Sequence, residues 1–158
     1  MSHDDAYMLD TNVFNDVLDG RTSLAELAGR HVVVTGIQAS ELRATNNAER
    51  RTALLSVFKT IAPDPLPTSS FAFDIEGAGL EHADWNDGTG RFQEMLARLQ
   101  TLDDKGKQYK NQTRDILIAE TALKNGSVLI SGDANLRTVM VEFGGRAISF
   151  DGLSEHEG

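Results

Sequence analysis

His31-Val32-Val33-Val34-Thr35-Gly36 and Val128-Leu129-Ile130-Ser131-Gly132-Asp133 decide the fold. Each is a short apolar run without the alternation of a half-exposed strand, closed by a hydroxyl residue and a glycine, and each leads into a helical pattern. A strand that is apolar on both sides must be covered on both faces, as in parallel sheets flanked by helices. Working outward, Tyr7-Met8-Leu9 is a third such run, stopped by Asp10, and Arg146 to Phe150 reads as a last strand. Helical stripes lie between them. Val13, Phe14, Val17 and Leu18 form one, and Ser23 to Ala28 a small second one. A helix starts near Ile37 and either runs through Asn46-Asn47 or restarts there. Ala53, Leu54, Val57, Phe58 and Ile61 stop at Pro63-Asp64-Pro65-Leu66-Pro67, where proline forbids a helix. Phe92, Met95, Leu96 and Leu99 share a face of Arg91 to Leu102. A long helix from about Gln108 to Lys124 ends at Asn125-Gly126, a good C-cap, and Leu136 to Phe143 ends at Gly144-Gly145. The expectation is α/β: an α/β/α sandwich around a central, mainly parallel sheet of four to five strands, one domain over residues 1–158, with a polar, fraying tail at 151–158. Phe71-Ala72-Phe73 reads as a short strand inside a stretch that otherwise looks like loop.

The chain has 158 residues, enough to bury about 70% of its unfolded surface without staples. It has no cysteine, which removes disulfides and thiolate metal sites and suits a reducing compartment. No apolar run approaches the about 20 residues of a membrane span. The acidic start, His3-Asp4-Asp5, is unlike the basic start of a signal peptide. A cytoplasmic protein without membrane contact is expected. The net charge of −9 argues against a general nucleic-acid binder. It hides an asymmetry: Pro63 to Gly90 holds six acids and no Lys or Arg, whereas Lys105 to Arg114 holds four bases and no acid.

In open parallel sheets the functional crevice lies beyond the carboxyl ends of the strands. Asp10 follows one strand directly, and Asp133 follows another after Ser131-Gly132. Glu41 lies one turn into the helix after Val34, in line with Ile37, Ala44 and Thr45; Asp115 shares a face with Ile118, Ala119 and Ala122. Four carboxylates at one end of a sheet repel, and divalent cations usually neutralise such clusters. Oxygen-only ligands favour Mg²⁺ or Mn²⁺ over zinc. Each acid also has an ordinary role open to it: Asp10 as a helix N-cap, Glu41 as a partly exposed helix acid, Asp133 as a turn former.

Four segments carry a family resemblance: Leu9-Asp10-Thr11-Asn12-Val13-Phe14, Thr35-Gly36-Ile37-Gln38-Ala39-Ser40-Glu41-Leu42, Asn111-Gln112-Thr113-Arg114-Asp115-Ile116-Leu117-Ile118-Ala119 and Val128-Leu129-Ile130-Ser131-Gly132-Asp133-Ala134-Asn135-Leu136. In this order and spacing they resemble the PIN domain, the nuclease fold of VapC-type toxins in toxin–antitoxin pairs. The resemblance spans Tyr7 to Phe150; residues 63–102 match poorly and look like an insertion. Ser131 stands where the family commonly has Thr, which keeps the hydroxyl.

The resemblance implies an Mg²⁺- or Mn²⁺-dependent endoribonuclease, the toxin of a type II pair, that hydrolyses a structured RNA with metal-activated water and leaves a 5′-phosphate and a 3′-hydroxyl. It implies that Asp10, Asp115 and Asp133 hold the metal, with Glu41 binding directly or through water. Asn12 and Ser131 would orient the carboxylates, or act as a helix cap and a turn hydroxyl. Lys107, Lys110 and Arg114 would guide the RNA backbone, or form a solvated helix end. An antitoxin is the implied protein partner. A homodimer is common in the family, and Ala53 to Ile61 offers either a surface for it or a core helix. Two other readings stay open: a catalytically silent PIN-like module that binds RNA or protein, and a metal-dependent phosphatase acting on small molecules. Asp10-Thr11-Asn12 lacks the second Asp of a haloacid-dehalogenase-like phosphatase.

Overall fold

A computed structural model describes residues 5–67, 90–103 and 109–156. Five parallel strands form one sheet in the order β3-β2-β1-β4-β5. They are β1 (Ala6–Leu9), β2 (His31–Val34), β3 (Asp64–Pro65), β4 (Val128–Ile130) and β5 (Arg146–Ile148). The helices are α1 (Thr11–Leu18), α2 (Gly36–Arg43), α3 (Ala48–Ile61), α4 (Arg91–Leu102), α5 (Tyr109–Lys124) and α6 (Ala134–Glu142), with 3-10 helices at Leu24–Leu27 and Phe150–His156.

The pleat of the strands builds two cores. Tyr7, Leu9, Val32, Val34, Val128 and Ile130 face one side, packed with Val13 and Phe14 of α1, Leu54 of α3, and Phe150 and Leu153. Met8, Val33 and Leu129 face the other side, against α4, α5 and α6. Each fully buried side chain of this kind is worth roughly 1.5–3 kcal/mol. The α/β/α layering read from the apolar runs is therefore what the chain adopts. The chain lays down β1, β2 and β3 outward in one direction, then crosses back to place β4 and β5 on the other side of β1. The switch point lies between β1 and β4, and a crevice opens there beyond their carboxyl ends.

The structure decides some expectations and corrects others. Of the two readings of the helix from Ile37, the restart at Asn46-Asn47 is the one adopted: α2 ends at Arg43, and α3 starts afresh with Asn47 as N-cap, its side chain accepting from the Arg50 N–H at 2.9 Å. β3 is an additional strand inside the proline cluster. Pro65 has no N–H to donate, and an edge strand tolerates that. The last strand stops at Ile148, and Phe150–His156 forms a 3-10 helix that buries Leu153 completely, so the tail is docked from the start of residues 151–158. At the end of the 63–102 stretch, Met95 and Leu99 of α4 are fully buried in the core. α3 is a core helix, with Leu54 buried and Leu55, Val57, Phe58 and Ile61 packed partly against the same cluster. The strand expected at Phe71-Ala72-Phe73 lies outside the described residues.

Candidate active site

Asp10 directly follows the last residue of β1. Its N–H donates to the Ile130 carbonyl of β4 at 2.9 Å, so the backbone continues the sheet while the side chain turns into the crevice. The carboxylate is 3% exposed. Its Oδ1 accepts from the Thr11 N–H at 2.8 Å, which makes it the N-cap of α1. Its Oδ2 accepts from the Ser131 hydroxyl at 2.8 Å. That same hydroxyl oxygen accepts from the Asp133 N–H at 3.0 Å. Asp133 in turn caps α6, with Oδ1 accepting from the N–H groups of Asn135 and Leu136 at 2.9 and 3.2 Å.

On the other side, Thr11 donates its hydroxyl to Glu41 Oε1 at 2.7 Å. Glu41 is brought there by a capping box. Thr35 Oγ1 accepts from the Ile37 N–H at 3.0 Å, and Gln38 Oε1 accepts from the Thr35 N–H at 2.9 Å. The fully buried Gln38 amide then donates to the Leu9 carbonyl at 2.8 Å. This fastens α2 to the end of β1, with Glu41 one turn further on. Burial pushes the Glu41 carboxyl above its ordinary range. The Thr11 hydrogen bond and the Arg114 charge oppose that rise, and the charge of Asp10 adds to it.

One continuous chain of contacts therefore runs Glu41–Thr11–Asp10–Ser131–Asp133 across the carboxyl ends of the neighbouring strands β2, β1 and β4. Asp115 is half-buried on α5, on the face that carries the fully buried Ile118, Ala119 and Ala122. Its neighbour Arg114 is close enough for its charge to act on Glu41, which sets the early turns of α5 at the same end of the sheet. Asn12 is exposed and makes no hydrogen bond to the carboxylates. The hydroxyl that reaches Glu41 is that of Thr11, one residue earlier. The Ser131 hydroxyl both donates to Asp10 and accepts from the Asp133 N–H. Lys107 and the side chain of Lys110 lie outside the described residues. Sequence reasoning missed Thr11 and Gln38. Thr35-Gly36-Ile37-Gln38 carried the signal for the second, being a capping box by spacing alone; nothing local marked Thr11.

The donor chemistry suits a hard divalent cation, since the side chains at the crevice offer oxygen only. As the side chains stand, no group of three or more His, Asp or Glu among the described residues is gathered to hold a metal ion. Asp10 and Glu41 are instead held by hydroxyl and backbone donors.

The fold and crevice define a three-layer α/β domain with acids at the switch point of a parallel sheet. No family model and no curated protein matches the chain. Solved structures similar to it include FitAcB from Neisseria gonorrhoeae, 14% identical over 91% of this chain and 97% of the other, with a TM-score of 0.47. VapBC-1 from nontypeable Haemophilus influenzae is 17% identical over 92% and 98%, with a TM-score of 0.48. VapBC-5 from Mycobacterium tuberculosis, a member of the VapBC family of toxin–antitoxin systems, is 21% identical over 91% and 96%, with a TM-score of 0.44. At identities of 14–21% and TM-scores of 0.44–0.48 the likeness carries no argument about activity. No helix among the described residues is long and apolar enough to cross a membrane.

Proposed function

We propose that the protein is a metal-dependent endoribonuclease of the PIN type, acting as the toxin of a toxin–antitoxin pair. The observation that carries the reading is the Glu41–Thr11–Asp10–Ser131–Asp133 chain at the switch point of the sheet. Two hydroxyls, Thr11 and Ser131, are used to hold carboxylates side by side in a place where carboxylates repel. That arrangement has a clear use if a cation is to bind there. Asp10, Glu41, Asp115 and Asp133 would hold Mg²⁺ or Mn²⁺. The ion supplies a water of lowered pKa and a counter-charge for the phosphodiester. The chain's own residues do the rest. Thr11 and Ser131 fix the orientation of Asp10 and Glu41, as groups behind a metal site do. Burial of Asp10 excludes water from behind its carboxylate. Arg114 brings a positive charge to the acid-lined end, where it offsets Glu41 before RNA arrives. A structured RNA substrate, an antitoxin and a homodimer are the partners that go with this reading.

One observation favours a second reading, a catalytically silent module of the same fold: the described acids are not gathered in threes. A single experiment separates the two. Purified protein is incubated with a panel of structured RNAs in Mn²⁺, in Mg²⁺ and in EDTA, with Asp10→Asn prepared identically to control for contaminating nuclease. Cleavage is expected with either metal, none in EDTA, and at least a hundredfold less in the variant, on the order of the loss when a ligand or its support is removed. Cleavage that survives in the variant, or none in any condition, removes the nuclease reading.

A further inference from the structure

Several arginines in this acidic chain are neutralised by acids. Arg50 sits on Asp19 at 2.9 Å, Arg98 on Glu142 at 2.8 Å and Arg146 on Asp5 at 3.0 Å. Arg137 differs. It is half-buried on α6, and its Nη1 donates to the Ser131 carbonyl at 2.7 Å. Among the described residues no carboxylate pairs with it. A backbone carbonyl holds the guanidinium in place without cancelling its charge, and leaves most of its five N–H donors unused. The side chain reaches back along α6 toward the end of β4, as long helical side chains do.

Its anchor is the residue that ties the acids together. Ser131 gives its hydroxyl to Asp10 and accepts from the Asp133 N–H, while its own N–H donates to the Ile148 carbonyl of β5. In a parallel strand the N–H and C=O of one residue point to the same side. The Ser131 carbonyl, and with it Arg137, therefore lies toward β5, beside the acids and not among them. A net charge of −9 repels RNA, so binding needs a fixed cation close to the crevice. An anchored guanidinium fork matches the geometry of a phosphodiester.

We propose that Arg137 binds a backbone phosphate of the RNA on the β5 side of the acids, next to the phosphate that is cut. This rests on the ribonuclease reading above. The test uses the full chain carrying Asp10→Asn, which binds without cutting, and a labelled stem-loop RNA of mixed sequence, followed by fluorescence anisotropy across a range of salt in Mg²⁺. Adding Arg137→Ala should weaken binding about tenfold. The slope of log affinity against log salt should fall by about 0.7–0.9, the share of one phosphate contact. Arg137→Lys should keep the slope while losing part of the affinity, since it keeps the charge but not the fork. Arg21→Ala, exposed and paired with Asp16, should change neither. A wild-type slope in Arg137→Ala overturns the proposal, and a lowered unfolding midpoint with that unchanged slope makes Arg137 structural only. A parent that binds no RNA at all brings down the ribonuclease reading itself, a separate result.

Discussion

Glu41 shows how the site is balanced at the scale of one residue. Its carboxyl is held above the ordinary value of 4.5 because burial disfavours the charge more than Thr11 and Arg114 favour it. The folded chain therefore binds a proton at Glu41 more readily than the unfolded chain does. Ionisation of Glu41 costs stability, and the cost is absent below the ordinary value and complete once pH exceeds the raised one. Glu41→Gln keeps an oxygen for the Thr11 hydroxyl and removes the charge. In urea unfolding the variant should be more stable than wild type at neutral pH, and the part of the difference due to the charge should vanish as pH falls below 4.5. A difference independent of pH would mean that burial of the charge is not its cause. The sequence made the acids legible as residues at strand ends and on packing faces. It did not reveal what holds them, because a hydroxyl such as Thr11 donates to a carboxylate 30 positions away and no local pattern records that. The ordinary reading of Asp10 as an N-cap holds as well, and Asp133, read as a turn former, is the N-cap of α6. Capping and acid presentation are one arrangement here: a helix that begins just past a strand end places its cap carboxylate at the crevice.

The elements follow from punctuation. Apolar runs bounded by turn residues gave β1, β2 and β4 within a residue of their observed ends, because burial on both faces leaves an unmistakable composition. β3 escaped notice because its two residues, one a proline, borrow their strand character from pairing with Val33 and Val34. The docked tail escaped notice because, among the described residues, its 3-10 helix buries only Phe150 and Leu153, too few positions for a period to show. The end of α3 contains a local conflict. Ala62 adopts φ 51° and ψ 55°, the left-handed region that a Cβ disfavours by roughly 1–2 kcal/mol. Pro63 follows and forbids another turn of helix. Ala62 is exposed, so no packing is lost on removing its methyl. Ala62→Gly should therefore raise the unfolding free energy by about 0.5–1 kcal/mol, once the greater freedom of glycine in the unfolded chain is subtracted. Urea unfolding of the two proteins side by side checks it. A lowered midpoint would show that the unfolded-state term wins.

At the scale of the whole molecule, the strand order concentrates negative charge. Because the chain reverses direction across the sheet between β1 and β4, residues far apart in sequence, Asp10 and Asp133, end on either side of one crevice. The overall charge of −9 adds to the local repulsion, so the metal-free protein carries a stress that a cation would relieve. Asp10→Asn removes one of the repelling charges at little structural cost. The Asn oxygen can still accept from the Thr11 N–H, and its amide can donate to Ser131 Oγ, whose own hydrogen turns away. Without metal the variant should melt at the wild-type temperature or above it. A ligand that binds only the folded state at a hundred times its Kd adds about 2.7 kcal/mol of stability. Titration with Mg²⁺ or Mn²⁺ should therefore raise the melting temperature of the wild type well beyond that of the variant, reversing their order. Equal shifts in the two proteins would remove Asp10 from the ligand set, and no shift in either would leave the paired carboxylates without the cation that their arrangement invites.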